Sequence, residues 1–195
     1  MENYLFDLSY LNGKKYLAGI DEAGRGPLAG PVTASAVILD LNDPIFNLDD
    51  SKKLSEKQRN YLYKKIIDNA LCFAITFIDN NIIDEINIYQ AAKLAMIKSL
   101  EKLSIEPDVI ITDAMPLTFR DANVFPVKKG DTLSASVMAA SILAKVARDR
   151  YMTDIEQKYP GYGFIKHKGY PTKAHREAIK KLGTCEIHRK SFRLL

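Results

Sequence analysis

The sequence predicts an α/β protein in which helices cover a mixed sheet. Two observations lead to this class: two apolar runs follow each other closely near the N-terminus, and strand-like and helical segments alternate from about residue 71 onward. Closely spaced strands pair as antiparallel neighbours, whereas alternation with helices is typical of parallel pairing. We therefore expect a sheet that is antiparallel at its N-terminal end and parallel later.

The first half of the chain contains three strand candidates, residues 16–21, 32–39 and 71–78. Gly26-Pro27 and Gly30-Pro31 lie between the first two, so these strands are expected to form a hairpin with a long, glycine-rich connection. A helical pattern begins at Ser55 and runs to about Asn69.

The second half supplies more helices and the remaining strands. Apolar residues recur at helical spacing from Ile88 to Leu103, and residues 109–112 and 123–127 are the last strand candidates. Leu133 to about Tyr159 is expected to form one long helix, whose small residues allow close packing on the sheet. A final helix is predicted from Pro171 to Gly183, because proline favours helix starts and glycine favours helix ends.

Composition indicates an ordinary globular chain. The 195 residues suit one domain, and 47% are hydrophobic while 27% are charged. The two cysteines, Cys72 and Cys185, lack metal-site spacing, and their number fits a reducing compartment. The sequence shows no signal peptide and no apolar run of membrane-spanning length. We therefore expect a cytoplasmic protein that does not act at a membrane.

Charge is unevenly distributed along the chain. The stretch from Lys166 to Arg193 carries a local balance of +7 in a protein whose net charge is +4, which leaves the rest of the chain mildly acidic. This division suits a protein that holds a polyanion with a basic part and performs metal chemistry elsewhere. A solvated helix face followed by a charged tail explains the same pattern, so charge alone leaves both interpretations open.

Carboxylates occur where the predicted strands end and helices begin. Asp21-Glu22 ends the first strand candidate, Asp113 ends a later one, and Asp131 precedes the long helix. Sites in α/β sheets gather at this edge, and clustered carboxylates suit hard divalent cations such as Mg²⁺ or Mn²⁺. Because neighbouring strand residues face opposite ways, Asp21 and Glu22 are expected to share a site only if the strand ends or kinks between them.

Each acid also has a purely structural interpretation. Asp131 can cap the helix that follows it, Asp113 can begin a turn, and Asp21-Glu22 can lie in an exposed turn. Asp149, between two arginines on a helix, is expected to form an ion pair, and Cys72 is expected in the core. Residue types and positions alone leave these alternatives open for the three acidic positions.

The segment from Gly19 to Val32 resembles the opening motif of bacterial ribonuclease HII, the type 2 ribonuclease H. Further segments resemble that family's later motifs, in order along the chain: Asp50–Ser55, Asp84–Ile88, Lys129–Asp131, Ala139–Asp149, Gly163–Phe164, His167–Thr172 and His188–Phe192. Together the motifs cover nearly the whole sequence.

The resemblance implies a ribonuclease H-like fold, a mixed five-stranded sheet flanked by helices with a helical C-terminal part. It implies one catalytic domain over residues 1–195, with residues 160–195 as a basic helical extension packed on it. The implied metal ligands, which would hold two Mn²⁺ or Mg²⁺ ions once substrate is bound, are Asp21, Glu22, Asp113 and Asp131.

The implied activity is endonucleolytic. The enzyme is expected to cut the RNA strand of RNA–DNA hybrids and to nick DNA duplexes on the 5′ side of single embedded ribonucleotides, as ribonucleotide excision repair requires. The products would carry 3′-hydroxyl and 5′-phosphate ends. These nucleic acids are the expected partners, and the protein is expected to act as a monomer.

Substrate contacts are also implied by the resemblance. Gly24, Arg25 and Gly26 match an element that contacts the ribonucleotide 2′-hydroxyl and the adjacent phosphate, and Tyr170 matches a tyrosine that stacks on the following deoxyribose. Lys52, Lys53 and Lys168 are candidates for phosphate contacts, although an exposed lysine is the better explanation of each one taken singly. One departure is visible, because Ala114-Met115 follows Asp113 where the family often has Gly-Asn.

Two other functional classes compete with the nuclease. A catalytically silent nucleic-acid-binding domain is disfavoured, because negative charge beside phosphates weakens binding. A resolvase- or integrase-like nuclease is disfavoured by the Gly-Arg-Gly element and Tyr170. The histidines His167, His175 and His188 are expected at the surface or against phosphates rather than on the metals, since hard cations prefer oxygen ligands.

Overall fold

A five-stranded mixed sheet forms the centre of the computed structural model, which describes residues 2–195. Its strands are β1 (Leu17–Ala23), β2 (Val32–Ile38), β3 (Cys72–Ile78), β4 (Val109–Asp113) and β5 (Asn123–Val127). They lie in the order β3-β2-β1-β4-β5. The pairs β1–β2 and β2–β3 are antiparallel, whereas β1–β4 and β4–β5 are parallel. The predicted α/β class and the predicted change of strand direction are therefore confirmed.

Helices cover both faces of this sheet. They are α1 (Glu2–Leu11), α2 (Glu56–Asn69), α3 (Asn80–Ile86), α4 (Ile88–Glu101), α5 (Gly130–Leu133), α6 (Ala135–Asp154), α7 (Phe164–His167) and α8 (Lys173–Leu182). On one face, α4 buries Ala92 and Met96 against strand residues that include Ala34 and Ile110. On the other face, α6 packs beneath β1 and β2, with Ala139 in the same buried cluster as residues of α2.

Helix α6 approaches β1 without an intervening side chain. A Cβ built on Gly19 would lie 2.0 Å from the carbonyl carbon of Ser136 and 2.3 Å from the backbone nitrogen of Val137. Only glycine permits this contact between a helix backbone and a strand backbone. The contact fixes the height of β1 above α6 two residues before Asp21, so it also positions the first acid of the candidate site.

The single helix predicted from Leu133 to Tyr159 is wrong at both ends. Leu133 belongs to the short helix α5, and Ser134 then adopts an extended conformation. The Ser134 side chain accepts a hydrogen bond from the Val137 N–H and so begins α6. At the other end, α6 stops at Asp154 and a 3₁₀ turn spans Ile155–Gln157.

Other helix boundaries follow local capping. Ser55 caps α2 through a capping box with Gln58, as the start at Ser55 predicts. The last helix begins at Lys173 rather than at Pro171, because the Thr172 side chain accepts from the His175 N–H, and it ends before Gly183. Helices α1, α3 and α7 have no counterpart in the sequence predictions.

Helix α1 is held by a buried acid as well as by apolar packing of Tyr4, Phe6 and Tyr10. Asp7 is fully buried and accepts a hydrogen bond of 2.8 Å from the Ser136 N–H, in the first turn of α6. Burial raises the pKa of Asp7 to about 6. A distant carboxylate thus partners a backbone N–H at the start of α6, the end that packs against Gly19.

The prediction that the histidines lie at the surface is wrong for His175 and His188, which are both fully buried. Their Nε2 atoms lie 3.1 Å apart, and the partly buried ring of His167 stacks on His175 at a centroid distance of 4.4 Å. Burial lowers the pKa of His175 to about 4, which keeps it neutral near pH 7. These rings form a core under the C-terminal part, because α7, α8 and the last segment pack around Phe164.

Both cysteines are free thiols, and Cys72 lies in the core as predicted. Within residues 2–195, no helix combines the length and the apolar character that crossing a membrane requires.

Replacing Gly19 by alanine should destabilise the protein strongly. The new methyl group would overlap the Ser136 backbone, so α6 would have to move away from β1. We expect the free energy of unfolding, measured by urea titration, to fall by about 3 kcal/mol or more.

Gly13→Ala is the matched control. Gly13 also has no side chain, but a Cβ there would meet nothing within 4 Å, and its φ of +81° imposes only the left-handed backbone penalty of about 1 kcal/mol. Equal losses in the two variants would contradict the close packing of α6 on β1.

Candidate active site

An open cleft of about 260 Å³ lies where β1 and β4 end. Its walls come from four parts of the chain: the end of β1 with the loop after it, the end of β4, the segment before α2, and α6 with the loop before α8. The residues that line it are Asp21, Glu22, Ala23, Gly24, Arg25, Gly26, Ser51, Lys52, Asp113, Ser141, Lys145 and Tyr170.

Asp21 and Glu22 both face this cleft although β1 neither ends nor kinks between them. Pairing of β1 with β2 continues through Ala23, so the expected interruption is wrong. The parallel partner β4, however, pairs with β1 only as far as Ile20. Beyond that pair one side of β1 is open, and carboxylates on both faces reach the same space. The interpretation of Asp21-Glu22 as an exposed turn is also wrong, since Asp21 is buried within a strand.

The other two acids meet at the end of β4. The Gly130 N–H, at the start of α5, donates to Asp113 Oδ1 at 2.9 Å. Asp131 accepts from Lys52 Nζ at 2.8 Å, and Ser134 caps α6, so Asp131 is not the cap of the long helix. Asp21, Glu22 and Asp113 therefore line one cleft, and Asp131 lies beside it, bound to Lys52 and close enough to Asp113 for its charge to raise that group's pKa.

Burial and mutual repulsion dominate the electrostatics of these acids. Burial, followed by the charge of Glu22, raises the pKa of Asp21 well above its usual value. Burial also raises the pKa of Glu22, and burial and the charge of Asp131 raise the pKa of Asp113. The site holds more negative charge than its own environment stabilises.

Two basic side chains already contact this cluster. Arg25 lies 3.1 Å from Glu22 Oε1, and Lys52 contacts Asp131. The second oxygen of Glu22, Oε2, is buried and has no hydrogen-bond partner among residues 2–195. An unpartnered buried carboxylate oxygen beside other acids fits a hard divalent cation, which prefers oxygen ligands. Within residues 2–195, no three acids lie close enough together to form a metal-ligand set by themselves.

The glycine-rich loop (residues 24–31) joins β1 to β2 and is held from behind by Arg189. This guanidinium is fully buried and donates hydrogen bonds of 2.6 to 3.0 Å to four carbonyl oxygens of the loop, those of Gly24, Arg25, Gly30 and Pro31. Burial lowers the pKa of Arg189 to about 9, so it stays protonated at neutral pH.

A second buried guanidinium, that of Arg148 in α6, supports the same loop. It donates to the carbonyl oxygens of Ala29, Pro31 and Lys168 at 2.9 to 3.1 Å. Gly24 has φ +92°, and a Cβ there would lie 2.0 Å from Arg148 Nε, so the loop rests directly on this side chain. Sequence reasoning missed both arginines as parts of the site, although both lie inside segments that carry the family resemblance.

Tyr170 lines the same cleft as the acids. It is 38% exposed, and a Cβ on Gly26 would lie 3.8 Å from its ring. Lys145 lies 5.7 Å from the ring centroid and forms the ion pair predicted for Asp149, at 2.8 Å. Ser141 and Lys145 were also missed, although their spacing of four residues places them on one face of α6.

The three candidate lysines have different surroundings. Lys52 lines the cleft, whereas Lys53 is exposed and contacts Asp49 at 3.3 Å. Lys168 Nζ lies outside the cleft lining and donates to the Thr153 hydroxyl and the Ile165 carbonyl. Only Lys52 is thus placed beside the acids.

Ala114, the departure from the usual motif, adopts φ +56°. Alanine therefore stands in the left-handed conformation that glycine would adopt without strain, at a cost of roughly 1–2 kcal/mol. Its N–H donates to the Thr112 and Val127 carbonyls, which fixes the turn after Asp113.

Comparison with known proteins agrees with this arrangement. The family model described as Ribonuclease HII matches residues 18–195. A ribonuclease HII from Caldicellulosiruptor bescii is 48% identical over 98% of this chain and 94% of its own length. The crystal structure of ribonuclease H2 from Pyrococcus horikoshii OT3 is 28% identical, with a TM-score of 0.80 over 92% of this chain and 95% of that chain.

A more distant structure, Bst-RNase HIII in complex with Mn²⁺, has the same fold at 18% identity and a TM-score of 0.64, covering 92% of this chain and 67% of that chain. The family model and the full-length relative together settle the assignment. The chain belongs to the ribonuclease HII family of endoribonucleases.

Proposed function

We propose that this ribonuclease H hydrolyses the RNA strand of RNA–DNA hybrids and nicks duplex DNA on the 5′ side of single ribonucleotides, leaving 3′-hydroxyl and 5′-phosphate ends. The observation that carries this proposal is the cleft itself. Three carboxylates, part of a glycine-rich loop and an exposed tyrosine line it, and the fourth carboxylate, Asp131, is bound to Lys52 of the same lining.

The acids Asp21, Glu22, Asp113 and Asp131 would hold two divalent cations, Mg²⁺ or Mn²⁺. The raised pKa values and the unpartnered Glu22 oxygen support this role, because bound cations would relieve both. The complex of Bst-RNase HIII with Mn²⁺ supports the choice of ion, since that protein has the same fold. When bound, such ions lower the pKa of an attacking water and neutralise charge on the leaving oxygen.

The protein's own groups would select and orient the nucleic acid. The loop residues Gly24, Arg25 and Gly26 face the cleft with little side-chain bulk, so their backbone can approach a ribose 2′-hydroxyl, the group that distinguishes RNA from DNA. Arg25 and Lys52, which now contact carboxylates, lie close enough to turn toward phosphates. Lys53 remains a solvent-exposed phosphate candidate, and Lys168 would need to leave its present partners.

Tyr170 would recognise the sugar that follows the ribonucleotide. Its ring is partly exposed in the cleft beside Gly26. The charged groups of Lys145 and Arg148 lie 5.7 and 5.9 Å from the ring centroid. A flat face at this place stacks on a deoxyribose. The basic stretch from Lys166 to Arg193 would hold phosphates outside the cleft without reading bases.

The purified protein should nick a DNA duplex that contains one ribonucleotide when Mg²⁺ or Mn²⁺ is present, and EDTA should stop the reaction. A denaturing gel of the end-labelled strand locates the cut, and a long RNA–DNA hybrid run beside it tests the broader activity. The same duplex without the ribonucleotide is the control. Folded protein that leaves both substrates intact with either metal would refute the proposed function.

Asp21→Asn should abolish cutting while largely keeping duplex binding. The amide preserves shape but removes the charge that holds a cation, so we expect kcat to fall by roughly 10³-fold. Asp121→Asn, an exposed acid beyond the opposite end of β4 and β5, is the matched control and should cut at the wild-type rate. Wild-type turnover by Asp21→Asn would remove Asp21 from the cation site.

Tyr170→Ala should lower kcat/KM at a single ribonucleotide by about tenfold, the amount that loss of one stacking contact gives. Tyr170→Phe keeps the flat ring and should stay close to wild type. An alanine variant as active as the phenylalanine variant on this substrate would show that Tyr170 does not stack on the sugar.

A further inference from the structure

We propose that Arg189 is the positioning residue for ribose recognition: its buried guanidinium holds two peptide units of the glycine-rich loop so that the N–H groups of Arg25 and Gly26 point into the cleft. The inference rests on the proposed recognition of the 2′-hydroxyl. It adds the residue that gives the loop its recognition geometry.

The hydrogen bonds of Arg189 define the orientation. Its two terminal nitrogens donate to the carbonyl oxygens of Gly24, at 2.6 Å, and of Arg25, at 3.0 Å. In a trans peptide the N–H points opposite to the carbonyl, and the described chain contains no cis peptide. Each carbonyl that turns toward Arg189 therefore turns the next N–H away from it.

The two N–H groups that turn away are those of Arg25 and Gly26. Arg189 is fully buried behind the loop, and both residues line the cleft on the other side. Among residues 2–195, neither N–H donates to a backbone or side-chain acceptor of the protein. Adjacent unpartnered N–H groups form a small concave donor site, suited to one electronegative oxygen such as a ribose 2′-oxygen or a phosphate oxygen.

Arginine suits this task for a physical reason. A rigid fork with five N–H donors can hold several carbonyls at fixed angles, whereas a lysine ammonium is a point charge on a flexible stem. Arg189 uses this fork on four loop carbonyls. The segment around it is fastened to the same loop, because the Arg189 N–H donates to the Leu28 carbonyl and the Gly30 N–H donates to the Ile187 carbonyl.

Arg148 provides a matched comparison within the same loop. It is also buried and bound to loop carbonyls, but those of Ala29 and Pro31, and not those of Gly24 or Arg25. Loss of either fork should weaken the fold. Only loss of the Arg189 fork should release the two peptide units that face the ribose.

The test measures how strongly the protein prefers a duplex that contains a ribonucleotide over one that does not, rather than activity alone. Dissociation constants are measured by fluorescence anisotropy for two duplexes of one sequence, with and without a single ribonucleotide, in Ca²⁺ and with a gel to verify that the strands remain intact. Wild type should prefer the ribonucleotide duplex by about tenfold, the factor that one net hydrogen bond gives. Arg189→Lys should reduce this ratio to nearly one, whereas Arg176→Lys, which removes a guanidinium that donates only to the Arg193 and Leu194 carbonyls, should keep it.

Each alternative outcome has a distinct meaning. A wild-type ratio of one would overturn ribose recognition, and this inference with it. A normal ratio in Arg189→Lys, or equal losses in the two variants, would leave the proposed function intact and overturn the positioning role of Arg189.

Amide NMR of the wild-type protein gives an answer even where Arg189→Lys does not fold. The Arg25 and Gly26 amide signals should move when the ribonucleotide duplex is added and move much less with the all-DNA duplex. Unchanged signals at these two amides, with shifts elsewhere in the cleft, would contradict the orientation that Arg189 imposes.

Discussion

Hydrogen bonds from two buried guanidinium groups to backbone carbonyls hold the glycine-rich loop beside the acids. Charges of this kind are expensive to bury, and burial lowers the pKa of both Arg148 and Arg189. The protein offsets the cost with carbonyl oxygens, seven contacts in all, rather than with carboxylates. Because the partners are backbone atoms, these hydrogen bonds fix the backbone conformation of the loop. Ion pairs between side chains would leave that backbone free to move.

The acids depend on a different constraint: β1 extends beyond the last of its residues that pairs with β4. The two strands pair only as far as Ile20, and β1 continues for three more residues against β2 alone. This offset opens one side of β1, so that consecutive side chains reach one cleft. Gly19 keeps α6 close beneath, which brings Ser141 and Lys145 to the same place. The end of β1 that β4 does not pair with and the close contact at Gly19 together determine where the acids lie.

Apolar runs and the spacing of helical segments were enough to predict a sheet of mixed strand direction, but not its strand order. Acids that follow apolar runs indicated the edge at which a site forms, and the family resemblance supplied the set of four acids. Sequence reasoning failed where tertiary contacts decide. Helix α1 depends in part on its buried acid, Asp7, which accepts from a backbone N–H far along the chain, and Ser134 interrupts a helical pattern that small residues would otherwise continue.

The same limit explains the misplaced histidines and the overlooked arginines. A charged or polar side chain is normally assigned to the surface, yet Arg148, Arg189, His175 and His188 are fully enclosed. Their partners are carbonyls and rings far away in sequence, which no local pattern reveals. Lys168 resembles a phosphate contact in sequence, but a left-handed turn directs its side chain to Thr153.

The contact between Arg189 and Gly24 spans 165 residues. Loop residues 24–31 therefore take their shape from a segment near the far end of the chain, whereas Asp21, Glu22, Asp113 and Asp131 all come before that segment in sequence. The proposed discrimination between ribose and deoxyribose thus depends on both ends of the chain. A truncation that removes Arg189 would keep all four acids but would lose the side chain that orients the loop.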